Sequence, residues 1–151
     1  MVKYNNYILY VFNLRDTKGG DIHMGELLQA KCENCDYRQQ LFIGGGLADC
    51  DRDAIAKSLP EKQRYLMEAG AVRKAEQLSV TRLPARCPNC GRIFEQAVVS
   101  YVHSGRPGTL RGWCPDCGSN NAVDLTGQKT AKNACPKCGG NITLETAGLW
   151  D

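Results

Sequence analysis

The alternation of apolar and polar positions predicts a chain built mostly of short β-strands. The clearest run is 94–102, which contains Ala-Val-Val-Ser-Tyr-Val and is rich in β-branched and aromatic residues. Residues 104–108 read Ser-Gly-Arg-Pro-Gly and predict a turn, after which 109–113 can form a returning strand. This part of the sequence therefore predicts a β-hairpin.

Weaker strand signals lie on both sides of this hairpin. They comprise residues 37–43, the segment marked by Leu78, Val80 and Leu83, residues 122–125 and 130–134 around a Thr126-Gly127 turn, and the alternation of Ile142 and Leu144 with polar neighbours. Gly44-Gly45-Gly46 is predicted to end the first strand as a turn. It lacks the Lys-Ser or Lys-Thr that a phosphate-binding loop would need.

Helical signals are confined to residues 51–69. Asp51 is a suitable N-cap, and Ala54, Ile55 and Leu59 form a short apolar face. Pro60 can open a second helical segment, and Gly70 is predicted to stop it. These residues therefore predict a helical insert among the strands. Covering the core is its simplest role, and binding a partner is the alternative.

The cysteines carry the strongest chemical signal. The chain of 151 residues has nine, of which Cys50 stands alone and eight form C-x-x-C pairs: Cys32/Cys35, Cys87/Cys90, Cys114/Cys117 and Cys135/Cys138. The last three pairs read C-P-N-C-G, C-P-D-C-G and C-P-K-C-G, whereas the first reads C-E-N-C-D. Glycine after the second cysteine suits a left-handed backbone, and we expect Asp36 to adopt the same conformation in the first turn.

Four such turns predict two zinc sites. A thioredoxin-type site needs one pair at the start of a helix, and no helix-forming run follows the last three pairs. A tetrahedral zinc site instead takes two cysteines from each of two turns. Disulfides are disfavoured, so we expect a cytoplasmic protein with two Zn²⁺. The longest apolar run, 7–12, is far short of the ~20 residues that span a bilayer.

Three pairings of the four turns are possible. The 17 residues between Cys117 and Cys135 have a zinc-ribbon spacing, and 122–134 can form a hairpin between them. We therefore predict a second zinc on Cys114, Cys117, Cys135 and Cys138, and a first zinc on Cys32, Cys35, Cys87 and Cys90. The rival joins 87/90 to 114/117 across the hairpin at 94–113 and forces 32/35 to meet 135/138. It closes a longer loop, but loop entropy grows only logarithmically, so it stays open.

The repeated C-P-x-C-G turns resemble the knuckles of the zinc-ribbon superfamily, over roughly residues 30–47 and 83–146. The whole chain looks like a small bacterial protein with two zinc ribbons. The resemblance implies a small metal-stabilised α+β fold: two ribbons, each a short antiparallel β-hairpin with C-x-x-C knuckles, the first carrying the helical insert. Zinc ribbons serve transcription, ribosomal and DNA-processing proteins and also form inserts in enzymes, so the resemblance implies the metal and leaves the function open.

The predicted domain organisation has three parts. Residues 24–112 form the first ribbon with its insert at about 51–69, and 113–151 form the C-terminal ribbon. Residues 1–23 contain no cysteine, and Lys18-Gly19-Gly20-Asp21 can be encoded by a ribosome-binding sequence just upstream of Met24. We therefore expect translation to start at Met24 and 1–23 to be upstream sequence. A disordered segment, or a strand at 7–14, is the alternative.

Basic and aromatic residues collect at the predicted hairpin tip: Tyr101, His103, Arg106, Arg111 and Trp113. Such residues can hold phosphates and stack on bases. We favour the simpler interpretation, an exposed turn with Tyr101 and Trp113 packed on the ribbon. The formal charge of +3 becomes about −1 once eight thiolates and two zinc ions are counted, and about −2 without residues 1–23. Nucleic-acid binding would therefore need a local basic patch.

Nothing in the sequence predicts catalysis. Four-cysteine sites are closed, whereas catalytic zinc keeps an open position. His23 and His103 are the only histidines, and His103 fits a strand end better than a ligand position. We therefore predict a non-catalytic structural-zinc module that binds a protein or nucleic acid, with no evident small-molecule substrate. A redox or metal-handling protein using C-x-x-C dithiols, or an accessory subunit of an enzyme, are the alternatives.

Overall fold

A computed structural model of the chain describes residues 25–48 and 52–150, of which 46–48 and Trp150 are described by their backbone alone. Several predictions lie outside the described residues: the upstream segment 1–23 with its alternative strand at 7–14, the start at Met24, His23, Cys50 and the N-cap Asp51.

The described residues form one sheet of eight strands, all paired antiparallel, in the order β5-β4-β3-β2-β1-β8-β7, with β6 beside β3. The strands are β1 (Gly25–Cys32), β2 (Arg38–Ala48), β3 (Gln77–Arg86), β4 (Ile93–His103), β5 (Arg106–Arg111), β6 (Val123–Asp124), β7 (Thr130–Ala131) and β8 (Ile142–Trp150). The structure is thus small and mostly antiparallel β, with a few helices, and its strands share one sheet rather than standing apart as two ribbon hairpins.

The strands β4 and β5 lie where the sequence predicted a hairpin, but the turn predicted at residues 44–46 was wrong. Gly44-Gly45-Gly46 does not end β2, which continues to Ala48. Gly44 and Gly45 instead take positive φ angles of 70° and 62°, and the register with β3 shifts between Gly44 and Leu47. Glycine permits this conformation without steric cost, so the triplet forms a bulge within the strand. The strand β1 was not predicted from the sequence, although it pairs with both β2 and β8.

The eight cysteines of the C-x-x-C pairs gather at one end of the sheet. Cys32 ends β1, Cys87 directly follows the last residue of β3, and Cys114 stands three residues after the last residue of β5. Cys35 and Cys90 each stand three residues before the strand that follows them, β2 and β4, and Cys138 stands four before β8. Because neighbouring strands run antiparallel, the ends of odd strands and the starts of even strands lie at the same edge.

The sheet opens between β2 and β3 at this same end. The two strands pair only around Gly44–Arg82 and Leu47–Val80, and β6 takes the place beside β3 further along. The Glu95 carboxylate lies in the opening, where it accepts a hydrogen bond from the Phe42 N–H at 2.7 Å and one from Arg82 Nη1 at 3.2 Å. Glu95 therefore satisfies an edge donor of β2 that β3 leaves unpaired.

Three short helices pack on one face of β3 and β4: α1 (Arg52–Ser58), a 3-10 helix (Glu61–Glu68) and α2 (Gly70–Arg73). Their buried side chains and the sheet share a core of Ile55, Leu59, Leu66, Val72, Ala75, Leu78, Val80, Ala97 and Val99. Helical turns thus occur within the predicted region, but Gly70 begins a helix instead of ending one. That these helices are an insert within a ribbon stays a prediction.

Gln63 fixes the 3-10 helix to β4. Its side chain is only 1% exposed. The amide nitrogen donates to the Glu95 carbonyl at 2.8 Å, and the amide oxygen accepts from the Ala97 N–H at 2.7 Å. A Cβ added to Gly112 would lie 1.8 Å from Gln63 Oε1, so glycine is required there. The Gly112 N–H still donates to the Ala97 carbonyl at 2.9 Å, and the Gln63 amide oxygen is the acceptor for the Ala97 N–H.

Candidate metal centre

The eight paired cysteines form two groups of four. Site 1 consists of Cys32, Cys35, Cys135 and Cys138, and site 2 of Cys87, Cys90, Cys114 and Cys117. Within each site all ligand atoms lie within 4.8 Å of one another. The predicted pairing of 32/35 with 87/90 and of 114/117 with 135/138 is therefore wrong, and the rival pairing holds. Each site takes one cysteine pair from either side of the predicted domain boundary at 112–113.

Strand pairing explains why the knuckles at 32/35 and 135/138 meet, although this closes the longer loop. Residues 122–134 do not form a hairpin with each other, because Asp124 of β6 pairs with Ala85 and Thr130 of β7 pairs with Thr143. In the β1–β8 register, Cys32 lies opposite Ile142 and hence close to the last knuckle. Doubling a loop costs only about 0.6 kcal/mol, less than a strand pairing contributes.

The sulfur positions fit a tetrahedral metal ion. Cys32 and Cys138 Sγ lie 3.4 Å apart and Cys35 and Cys135 Sγ 3.6 Å apart. In site 2 the distances Cys87–Cys117 and Cys90–Cys114 are both 3.5 Å. A tetrahedron with metal–sulfur bonds of about 2.3 Å has sulfur–sulfur edges of about 3.8 Å. Four soft thiolate donors at this spacing suit Zn²⁺ or another thiophilic metal.

Three knuckles share one backbone turn, as the glycine pattern predicted. The N–H of Gly91, Gly118 and Gly139 donates to the carbonyl of the first cysteine of its pair at 2.8–2.9 Å. Their φ angles are 81°, 73° and 76°. In the left-handed region a residue with a Cβ would be strained, so glycine lets the chain leave the turn toward the next strand.

The knuckle of Cys32 and Cys35 is closed differently. Among the described residues other than glycine, only Ser104 and Asn133 have positive φ, so the expectation that Asp36 is left-handed was wrong. Instead, the Asp36 carboxylate forms an ion pair with Lys137 Nζ of the facing knuckle. Lys137 holds the pKa of Asp36 below its usual value, chiefly through this hydrogen bond.

Site 2 has a matching ion pair. Arg92 Nη1 lies 2.6 Å from Asp116 Oδ1, and this hydrogen bond lowers the pKa of Asp116 and raises that of Arg92. In both sites, the residue between the proline and the second cysteine of one knuckle contacts a residue just after the other knuckle. Both pairs are exposed, and solvent screens exposed pairs so strongly that they contribute little to stability. They orient the knuckles more than they stabilise the fold.

Backbone N–H groups surround the sulfurs. Asn34 N donates to Cys32 Sγ at 3.3 Å, and Gly140 N donates to Cys138 Sγ at 3.4 Å. In site 2 the Asn89 side chain and the Ser119 N–H lower the pKa of Cys117 to about 6. Such donors stabilise thiolates and orient them toward a metal.

The thiols of one site differ in acidity. Desolvation opposes ionisation of Cys135, but the N–H groups of Cys138 and Lys137 outweigh it and lower the pKa to about 6. For Cys35, the Tyr37 N–H favours the thiolate, yet desolvation and the three neighbouring sulfurs raise the pKa to about 12. Cys90 in site 2 behaves like Cys35, and its pKa is also about 12. At neutral pH each site therefore still holds protons that a metal ion must displace.

The sites lie at the boundary between core and solvent. The first cysteine of every pair is buried, whereas Cys90, Cys117 and Cys138 are exposed and Cys35 is half-buried. Cys32 and Cys135 belong to a core cluster with Leu28, Leu41, Ile93 and Ile142, and Cys87 and Cys114 pack with Phe94. Each site thus joins separate strands on its buried side.

The five predicted contact residues of the hairpin do not form one surface. Tyr101, His103 and Arg106 share the helix-side face, since Tyr101 lies opposite Gly108 and His103 opposite Arg106. The Tyr101 ring lies on Gly108, where an added Cβ would be 2.2 Å from Tyr101 Cζ. Arg111 lies opposite Val98 on the other face and is 3.9 Å from Asp124.

Trp113 lies past the end of β5 and contacts the 3-10 helix. Its ring centroid is 4.6 Å from that of Tyr65, with the planes tilted by 35°. The backbone N–H of Trp113 donates to Tyr65 Oη at 2.7 Å. Trp113 remains 50% exposed, so the expected packing is partial. Whether any of the five contacts a partner stays a prediction.

No protein-family model, curated protein or solved structure matches the chain. Among the described residues, no helix is long and apolar enough to span a membrane.

Proposed function

We propose that this chain is a non-catalytic, cytoplasmic binding module stabilised by two structural Zn²⁺ ions. The observation that carries the proposal is the meeting of four separate knuckles as two groups of four sulfurs at one end of a single sheet. In such a site the protein supplies every ligand of a tetrahedral ion, and no position stays open for a substrate or activated water.

The connections across each site support a structural role. Site 1 would join the β1–β2 knuckle to the knuckle before β8, and site 2 would join the β3–β4 knuckle to the one after β5. The two connections lie at the end of the sheet where β2 and β3 separate, one on the β2 side of the opening and one on the β3 side. Structural zinc supplies on the order of 10–16 kcal/mol per site in small peptides, comparable to the whole stability of a domain.

A module of this kind acts by presenting its surface to a macromolecular partner, either a protein or a nucleic acid. The half-exposed Trp113 and the hairpin end with Arg106 are the partner contacts predicted from the sequence. An accessory subunit of an enzyme would use the same module.

Metal analysis tests the proposal. Elemental mass spectrometry of the purified protein should give two zinc ions per chain, and removing them with a strong chelator should abolish cooperative unfolding. Readdition of Zn²⁺ should restore the fold. The four sulfurs of each site come together only when the sheet forms, so metal binding favours the folded sheet. A protein that keeps its melting temperature after chelation would refute the structural role.

The exposure of Cys90, Cys117 and Cys138 favours one alternative, a redox or metal-handling protein. In that case peroxide should release metal and form disulfides that a thiol reductant reverses, with no loss of fold. The structural proposal instead expects thiols that react slowly with an alkylating reagent while zinc is bound, and unfolding once zinc is released.

A further inference from the structure

The outer face of β1 and β2 carries an ordered set of side chains that the zinc sites do not use. Three cross-strand pairs follow one another on this face: Lys31–Arg38, Gln29–Gln40 and Leu27–Phe42. We name these six residues the β1–β2 ladder. The intervening residues Leu28, Ala30 and Leu41 face the core and are buried, which fixes the ladder on the outer face.

The first pair of the ladder places two cations opposite each other. Lys31 and Arg38 are direct partners in the register, both are exposed, and Cβ atoms at such positions are about 5 Å apart. Within the described part of the chain, neither cation forms an ion pair with an acidic side chain. Like charges directly opposite destabilise a sheet, and a bound anion would relieve this repulsion.

The order of the pairs suggests which anion binds. Beyond the cations come two carboxamides, which can hydrogen-bond base edges, and then Phe42, which is 42% exposed. Glu145 of β8 is paired with Gln29, and its negative charge disfavours an anion there. The anion should therefore bind at the Lys31–Arg38 end. Side chains suited to a phosphate, to a base edge and to a base face therefore follow one another along one face of the sheet.

We propose that the β1–β2 ladder binds single-stranded nucleic acid, with phosphates at Lys31 and Arg38 and a base stacked on Phe42. The inference rests on the proposed function and names its partner. A single strand exposes the base faces that an aromatic side chain needs, whereas a duplex hides them. The patch is the local concentration of positive charge that the nearly neutral zinc-loaded chain requires for binding.

Fluorescence anisotropy with the zinc-loaded full chain tests this assignment. The probe is a labelled oligo-dT or oligo-U of about 15 nucleotides, titrated at about 50 mM and 200 mM salt. The variant Lys31→Gln/Arg38→Gln should weaken binding roughly tenfold or more at low salt, and should lower the salt slope by about 1.4, at about 0.7 per phosphate contact. Phe42→Leu should weaken binding by at least about fivefold, because stacking is lost.

The matched control is Arg73→Gln/Lys74→Gln, which removes one exposed arginine and one exposed lysine at the end of α2 and should change affinity less than about twofold. Both double variants should keep two zinc ions, and Lys31→Gln/Arg38→Gln should melt no lower than the wild type, since it removes a repulsion. These two readouts separate failure of the ladder from failure of the zinc fold.

Four results would overturn the assignment. They are no binding of either oligonucleotide at low salt, equal losses in the two double variants, loss of zinc from Lys31→Gln/Arg38→Gln, or equally tight binding of a poly-glutamate peptide. The third would mean that the cations serve site 1, and the fourth that the partner is an acidic protein. In the first, second and fourth cases two bound zinc ions would leave the proposed function intact.

Discussion

The sulfur atoms of Cys35 and Cys135 lie 3.6 Å apart, although the two residues differ by 100 positions in the chain. Site 1 therefore encloses the whole of site 2 within its loop. The two knuckles of site 1 are brought together by the antiparallel pairing of β1 with β8, and those of site 2 by the β3-β4-β5 strands. Metal binding and sheet formation should thus be one process.

Replacing Gln63 by leucine should destabilise the zinc-loaded protein by about 2–4 kcal/mol. The change leaves the Glu95 carbonyl and the Ala97 N–H of β4 without their buried partner. Denaturant unfolding measures it. Arg64→Ala, an exposed position on the same helix, is the control and should stay within about 0.5 kcal/mol. A small effect at Gln63 would mean that the helix is held by its apolar side chains alone.

Gly112→Ala should be destabilising for the same reason, because the new methyl group would displace the Gln63 amide. The two changes act on one contact, so their effects should not add. In a double-mutant cycle, Gly112→Ala should cost at least about 1 kcal/mol less in the Gln63→Ala background than in the wild type. Additive effects would show that Gly112 is needed for another reason.

Zinc affinity should rise with pH. Protons and zinc compete for the same sulfurs, and the pKa values of Cys35 and Cys90 are raised to about 12 in the metal-free chain. Each site must therefore release at least one proton on binding at neutral pH, so the apparent affinity should rise at least about tenfold per pH unit. The metal-free chain binds more protons than the zinc-loaded one, so acid favours metal release. Competition with a colorimetric chelator between pH 6.5 and 8.5 measures the slope. A flat profile would contradict the assignment.

The ligands could be predicted from sequence because their chemistry is local. A C-x-x-C turn followed by glycine encodes both the ligand spacing and the backbone conformation, and Gly91, Gly118 and Gly139 adopt it. Asp36 does not adopt it, and its carboxylate contacts Lys137, a residue 101 positions away. Local turn preferences give no information about a contact between residues so far apart in sequence.

The pairing of the knuckles could not be predicted because it depends on which strands are neighbours. The strand β1 alternates the buried Leu28, Ala30 and Cys32 with polar residues, but the pattern spans only five residues and contains no β-branched or aromatic side chain. Once β1 is placed between β2 and β8, Cys32 must lie near Cys138. The short strands β6 and β7 looked like one hairpin, yet each pairs with a different long strand.

Zinc stoichiometry in two double-cysteine variants tests the central claim most directly. Cys35→Ser/Cys138→Ser removes two ligands of site 1 and should leave one tightly bound zinc per chain after dialysis against a chelator. Cys35→Ser/Cys90→Ser removes one ligand from each site and should leave none. The reverse result, one zinc in the second variant and none in the first, would contradict the account, because it would place the 32/35 and 87/90 pairs around the same ion.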